Sequence, residues 1–200
     1  MSRHALHILV ASLVIAIGLV LSWQPNPPAT VAPAPPTGGD FILDSADGPL
    51  DTATLRGRIV LVFFGYTHCP DICPTSLATI AQALVQLSPE ELARVRTLFI
   101  SLDPERDTPA LLKDYVTFFH PSMIGVTGKP EAVATVAARF GVVFGRQDVG
   151  SKAGYVVDHS AWTYVLGPDG RLANRLPPAA TGEQTLAEIR KQLASMKGAS

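Results

Sequence analysis

Two cysteines, Cys69 and Cys73, are the only ones in this 200-residue chain, and both lie in the run Cys69-Pro70-Asp71-Ile72-Cys73-Pro74. The thiolate is the form of cysteine that binds soft metals and attacks disulfides. Two such sulfurs select Cu(I), zinc or an iron–sulfur cluster. A cluster takes about four cysteines, more than the chain has, and a structural zinc takes about four protein ligands. Cu(I) is satisfied by two sulfurs and one imidazole. Without a metal, the same pair could exchange disulfides, one sulfur attacking and the other resolving the intermediate. A structural disulfide is the plainer alternative in an exported chain, although so short a loop constrains little chain entropy. Thiol peroxidase chemistry wants one activated thiolate with hydroxyl and Arg support, and two closely spaced cysteines, each followed by proline, speak against it.

Five histidines could supply a third ligand. His4 and His7 fall in an apolar N-terminal stretch. His120 ends a helical pattern before Pro121, where a histidine commonly meets the helix dipole or a carbonyl. His68 adjoins Cys69, but neighbouring side chains in an extended loop diverge. His159 sits in Asp158-His159-Ser160 after a strand, where a histidine is commonly structural; Asp158 could orient its ring. The residues alone leave the choice open.

The elements that must position these groups can be read from periodicity. Ile59-Val-Leu-Val-Phe-Phe-Gly65 is a continuous β-prone run, the mark of a strand buried on both faces. The cysteine loop follows it, and Leu77, Ile80, Ala81, Leu84 and Leu87 then fall at helical spacing. Proline disfavours helical geometry in the residue before it, so Cys73 is expected at the helix cap and Pro74 at the first helical position. A sulfur at that terminus feels the positive end of the dipole, which favours thiolate. Residues 41–44 with a turn at Asp47-Gly48 suggest a hairpin, and Ser88-Pro89-Glu90-Glu91 is a capping box. A second buried strand spans residues 95–102. Helices are expected from Asp107-Thr108-Pro109, with Leu112, Tyr115, Val116 and Phe119 inward, and from Pro130. Strands follow at residues 155–158, 163–166 and near Leu172, and Thr181-x-x-Gln184 caps a last helix. The order β-α-β-α-α-β-β-α is an α/β sheet of thioredoxin pattern, with an insertion between about residues 108 and 154.

Ahead of this domain, residues 5–23 are apolar apart from His7 and a few small polar residues, and Arg3 precedes them. A signal peptide's apolar core is about 7–15 residues and a spanning helix needs about 17–25. Residues 1–23 therefore read first as a transmembrane anchor with the positive end inside, a cleaved signal peptide being the alternative. Residues 24–39, rich in Pro and Ala, read as a tether, and residues 40–200 as the folded domain. The formal net charge of −1, without any long Lys/Arg run, excludes nucleic acid as an electrostatic partner.

Three strings resemble the signatures of the Sco/SenC copper chaperones of cytochrome c oxidase assembly: Gly65-Tyr-Thr-His-Cys-Pro-Asp-Ile-Cys-Pro-Thr75, Ser101-Leu-Asp-Pro-Glu-Arg-Asp-Thr-Pro109 and Val157-Asp-His-Ser160. Leu55-Arg-Gly57 adds to them, and the resemblance spans residues 40–193. It implies a thioredoxin-like fold behind an N-terminal anchor, with copper, as Cu(I) and/or Cu(II), held by Cys69, Cys73 and His159. It further implies delivery of copper to the copper A site of cytochrome c oxidase subunit II, or reduction of that site's cysteines. The implied place is the bacterial inner membrane, crossed once, with the domain in the periplasm. The alternative is a periplasmic thiol-disulfide reductase in which Cys69 and Cys73 are the catalytic pair and no metal is transferred. Unlike thioredoxins, the chain has C-x3-C spacing and no proline before the strand at Tyr155, where the His159 segment would face the cysteines instead. Asp71 and Asp103 are candidates to support a ligand or meet a partner. The plainer reading makes Asp71 a turn carboxylate, and Asp103 and Asp107 turn or cap groups. Arg106 could meet an acidic partner face.

Overall fold

The computed structural model describes residues 36–151 and 154–197, together with positions 4, 7, 13, 15, 17 and 18, which are helical. The anchor expected over residues 1–23 and most of the tether otherwise lie outside the described residues. Among the described residues no helix is long and apolar enough to cross a membrane. The chain divides between Pro33 and Ala34, and the fold belongs to the second unit.

Its elements run β1 (Ile42–Ser45), β2 (Gly48–Asp51), a 3-10 turn (Thr52–Leu55), β3 (Ile59–Gly65), α1 (Ile72–Leu84), α2 (Pro89–Ala93), β4 (Val95–Ser101), α3 (Pro109–Phe119), β5 (Met123–Thr127), α4 (Pro130–Arg139), β6 (Phe144–Ser151), β7 (Gly154–His159), β8 (Thr163–Leu166), β9 (Leu172–Leu176) and α5 (Gly182–Lys197). A seven-stranded sheet has the order β2-β1-β5-β4-β3-β8-β9, and β6-β7 form a separate two-stranded ribbon. The strands β4-β3-β8-β9, with α1 packed on α5, make the thioredoxin-like centre. β3 runs parallel to β4 from Ile59↔Val95 to Gly65↔Ser101, and antiparallel to β8. All seven residues of β3 are buried, so both faces of the sheet are covered where the cysteine loop leaves it. Truncating Leu61 or Phe63 there to alanine would cost about 2–5 kcal/mol.

The capping boxes form as the sequence suggests, Ser88 with Glu91 and Thr181 with Gln184. Four features differ from expectation. β5 carries Gly125, which weakens its strand signature, yet a Cβ there would lie 2.6 Å from Leu112 Cβ. The glycine that hides the strand is what lets α3 pack on it. β6 is polar and glycine-containing, and becomes a strand through its pairing with β7. Thr37 and Gly38, placed in the tether by composition, donate backbone bonds to the Arg139 carbonyl at 2.9 and 3.3 Å. Finally, α1 begins at Ile72 with Asp71 as its cap residue, so Cys73 and Pro74 both lie in the first turn. The first N–H groups of a helix have no partner within it, so Pro74 removes no helical bond.

Candidate metal centre

The loop between β3 and α1 is tied down at both ends. Gly65 accepts a bond from the Leu102 N–H at 2.7 Å, and the Cys69 N–H donates to the Tyr66 carbonyl at 3.3 Å. In between, the buried Asp107 carboxylate accepts three donors: the Thr67 N–H at 3.0 Å, the Thr67 hydroxyl at 2.6 Å and the Ser101 hydroxyl at 2.6 Å. Cys73 is fully buried and rests against Gly65. A Cβ on Gly65 would come within 2.6 Å of Cys73 Sγ and 2.9 Å of Phe99, so the sulfur occupies space that only glycine leaves free.

His159 is the last residue of β7 and pairs with Phe144 at the base of the separate ribbon. Its Nε2 lies 3.4 Å from Cys73 Sγ, across 86 residues of sequence. The ring stands edge-on to Phe63 and Tyr66, with centroids 6.3 and 6.1 Å away. Its Nδ1 faces the Ser160 carbonyl at 3.4 Å. The donor atoms of Cys69, Cys73 and His159 all lie within 4.8 Å of one another. Three donors about 2.0–2.3 Å from a shared metal ion would stand somewhat closer together than that limit, so a small movement of one of them completes a three-coordinate site. A cleft of about 340 Å3, bordered by Pro70, Ile72 and Val157, opens this cluster to solvent at Cys69 and His159.

Both cysteines are free, and they are electrostatically unequal. Cys69 is held down at about 3, first by a hydrogen bond from the Cys73 thiol, and also by His159 and the N–H groups of Asp71 and Cys73, against the opposing effect of burial. The Cys73 N–H, in the first turn of α1, lies 3.4 Å from Cys69 Sγ. Cys73 is pushed up because it shares its proton with Cys69 and is buried. The helix terminus thus stabilises a thiolate, as expected, but the thiolate belongs to the loop residue rather than to the helical one.

The other candidates separate cleanly. His68 turns toward Thr67 and Asp107, its Nδ1 3.0 Å from the Thr67 hydroxyl and 3.9 Å from the carboxylate. His120 accepts from the Ser122 N–H at 3.2 Å rather than meeting a carbonyl, and burial lowers its pKa. Asp158 is exposed, and the Ser160 carbonyl is what faces the His159 Nδ1. Asp71 is exposed beside the cleft, 3.4 Å from the Thr75 hydroxyl, and makes no side-chain cap bond. Asp103 and Asp107 are fully buried; neither caps α3, whose cap is Thr108. Arg106 is paired internally with Asp103 and stacked on Tyr155, so its expected acidic partner is within the chain. Sequence reasoning passed over Tyr66 and Tyr155. No peptide bond among the described residues is cis, and the His159 segment faces the cysteines.

The family model for SCO1/SenC matches residues 29–194 of this chain. A Bos taurus relative, "Protein SCO2 homolog, mitochondrial", is 40% identical over 161 residues, which are 80% of this chain and 60% of the relative. The chain therefore spans about three-fifths of that relative's length. Among solved structures, Arabidopsis thaliana ScoI with copper bound superposes with a TM-score of 0.73 at 33% identity, covering 79% of this chain and 98% of that one. Bradyrhizobium japonicum ScoI with copper bound gives 0.70 at 36% identity, covering 78% and 98%.

Proposed function

The chain belongs to the SCO1/SenC family, and on that premise we propose that it is a copper-binding metallochaperone whose cargo is held by Cys69, Cys73 and His159. One observation carries this reading above the others: an imidazole nitrogen brought from a remote ribbon to 3.4 Å from a buried sulfur. Thiol exchange needs two sulfurs but no such nitrogen. Two sulfurs and one imidazole make a donor set suited to Cu(I). Cys69 offers a ready thiolate, and its cleft gives an incoming ligand access to the ion.

Transfer then proceeds by ligand exchange. An acceptor sulfur enters from the cleft side and replaces one donor at a time, and the proton shared by the two cysteines returns to the site as the ion leaves. A three-donor site at a loop releases its ion more readily than a closed cage of four. The acceptor in this reading is the copper A site of cytochrome c oxidase subunit II, in keeping with the family resemblance. Reduction of that site's cysteines by the same dithiol is compatible with it. Residues 1–23 serve as a single-pass anchor in the bacterial inner membrane, and the domain from residue 40 onward works in the periplasm.

Anaerobic copper titration of the protein, beside His159→Ala and Cys73→Ser, tests the ligand set. Wild type takes up one equivalent with sulfur-to-copper charge-transfer bands. Cys73→Ser loses stoichiometric binding, and His159→Ala weakens it by at least about ten-fold. Unchanged affinity and spectrum in His159→Ala would leave only a dithiol.

A further inference from the structure

The ribbon β6-β7 carries His159 but pairs with no strand of the main sheet. At its base the Ser160 N–H donates to the Val143 carbonyl at 3.1 Å, and the Val143 N–H to the Ser160 hydroxyl at 3.2 Å. Farther out it is gripped from the loop between β4 and α3. Asp103 in that loop is fully buried, and its own N–H is fixed to the Ser101 hydroxyl at 3.0 Å. One carboxylate oxygen takes the Arg106 guanidinium, and the other accepts the Tyr155 hydroxyl at 2.7 Å. Arg106 Nη1 donates to the Tyr155 carbonyl at 3.2 Å, and the guanidinium lies 3.8 Å from the Tyr155 ring centroid. Arg146 of β6 lies 4.5 Å from the same ring and pairs with Glu105 at 2.8 Å. The backbone, hydroxyl and ring of one tyrosine are thus all held by one loop.

The contacts continue toward the copper ligands. Arg106 stands 5.8 Å from the Tyr66 ring centroid, and Tyr66 meets the His159 ring edge-on. Val157, two residues before His159, borders the same cleft as Tyr66. Tyr155 itself is four residues from the imidazole, about 13 Å along an extended strand. That distance excludes a direct role at the ion.

We propose that Asp103, Arg106 and Tyr155 form a clasp that positions His159. By holding the ribbon against the cysteine loop, it sets how tightly the third ligand binds and how readily it departs. The sulfurs, tied to the sheet by Asp107 and Gly65, do not depend on it. The inference rests on the copper reading above, and its test separates the two.

Cu(I) affinity of the full chain is measured by competition against a chelator of known strength, in Tyr155→Phe and Arg106→Gln, each with and without His159→Ala. Arg106→Gln weakens copper by about ten-fold, and Tyr155→Phe, which deletes one hydroxyl, by a smaller factor of about three. Neither changes affinity further once His159 is alanine, because the two act through the same ligand. Equal losses in the His159→Ala background would overturn the proposal, since the effect would then pass through the sulfurs or the whole fold; so would the absence of any loss. Amide hydrogen exchange in the metal-free protein gives the second readout. Tyr155→Phe speeds exchange across residues 154–159 and leaves β3 unchanged, whereas unaltered exchange in the ribbon refutes the clasp. If wild type binds no copper, the ligand assignment falls and the exchange result still decides the clasp. If Arg106→Gln does not fold, Tyr155→Phe decides alone.

Discussion

The loop bearing Cys69 and Cys73 leaves a strand whose seven residues are all buried, whereas His159 closes a two-stranded ribbon that shares no pairing with that sheet. The first half of the site is held by close packing and by a carboxylate taking three donors. The second is held by one buried ion pair, a tyrosine, the buried Val157 and a short base. Close-packed cores resist displacement, while elements with few buried apolar contacts open locally without global unfolding. A carrier needs both behaviours: sulfurs fixed enough to define the ion's place, and an imidazole able to withdraw when an acceptor arrives.

The sharpest way to break this contrast is at the stiff half. Asp107→Ala strands three donors and should lower unfolding free energy by about 3–5 kcal/mol, read by urea denaturation. A loss below about 1 kcal/mol would mean the cysteine loop is not stiffly anchored. Gly65→Ala comes next. Its Cβ overlaps Cys73 Sγ and Phe99, so overpacking should cost about 1–3 kcal/mol and copper affinity should fall with it. Stability and affinity both at wild-type level would show that the sulfur has room to shift.

A third effect follows from protons. In the metal-free protein Cys69 titrates at about 3, against an ordinary 9.0. The folded value is depressed, so between those limits the unfolded chain binds more protons and stability rises with pH. That contribution is lost as pH falls toward 3. Cys73 is shifted the other way, so above about pH 9 the folded state keeps a proton that the unfolded chain gives up, and the sign reverses. Between about pH 5 and about pH 8 the wild-type stability curve should therefore climb more steeply than that of Cys69→Ser. Parallel curves would contradict the unequal pair. The smallest expected effect is at Asp158→Asn, which should leave stability within about 0.5 kcal/mol and copper affinity unchanged. A clear loss of affinity would return the ring-orienting role to that carboxylate.

The same contrast explains what could be read in advance. β3 was legible because seven apolar residues in a row leave little alternative, and the cysteine chemistry because both sulfurs and both prolines are local. The first turn of α1 was misjudged by two residues, since a proline tolerated among unpartnered N–H groups looks the same as one that opens the helix. His159 had no local signal: the residue types around it suit a structural histidine, and only the resemblance singled it out. The contact that holds its ribbon joins Tyr155 to Asp103, 52 positions apart in the chain. Gly125 concealed β5 for the reason that makes it necessary there. Long-range polar contacts are set by the fold, and no periodicity announces them.

In the proposed site one ion is bonded by both sulfurs and by the ribbon's imidazole together. X-ray absorption at the copper edge of the Cu(I)-loaded protein examines those bonds directly. Two sulfur neighbours and one nitrogen are expected, with the nitrogen lost in His159→Ala. Two sulfurs alone in the wild-type protein, with a spectrum indifferent to that substitution, would contradict that ligand set.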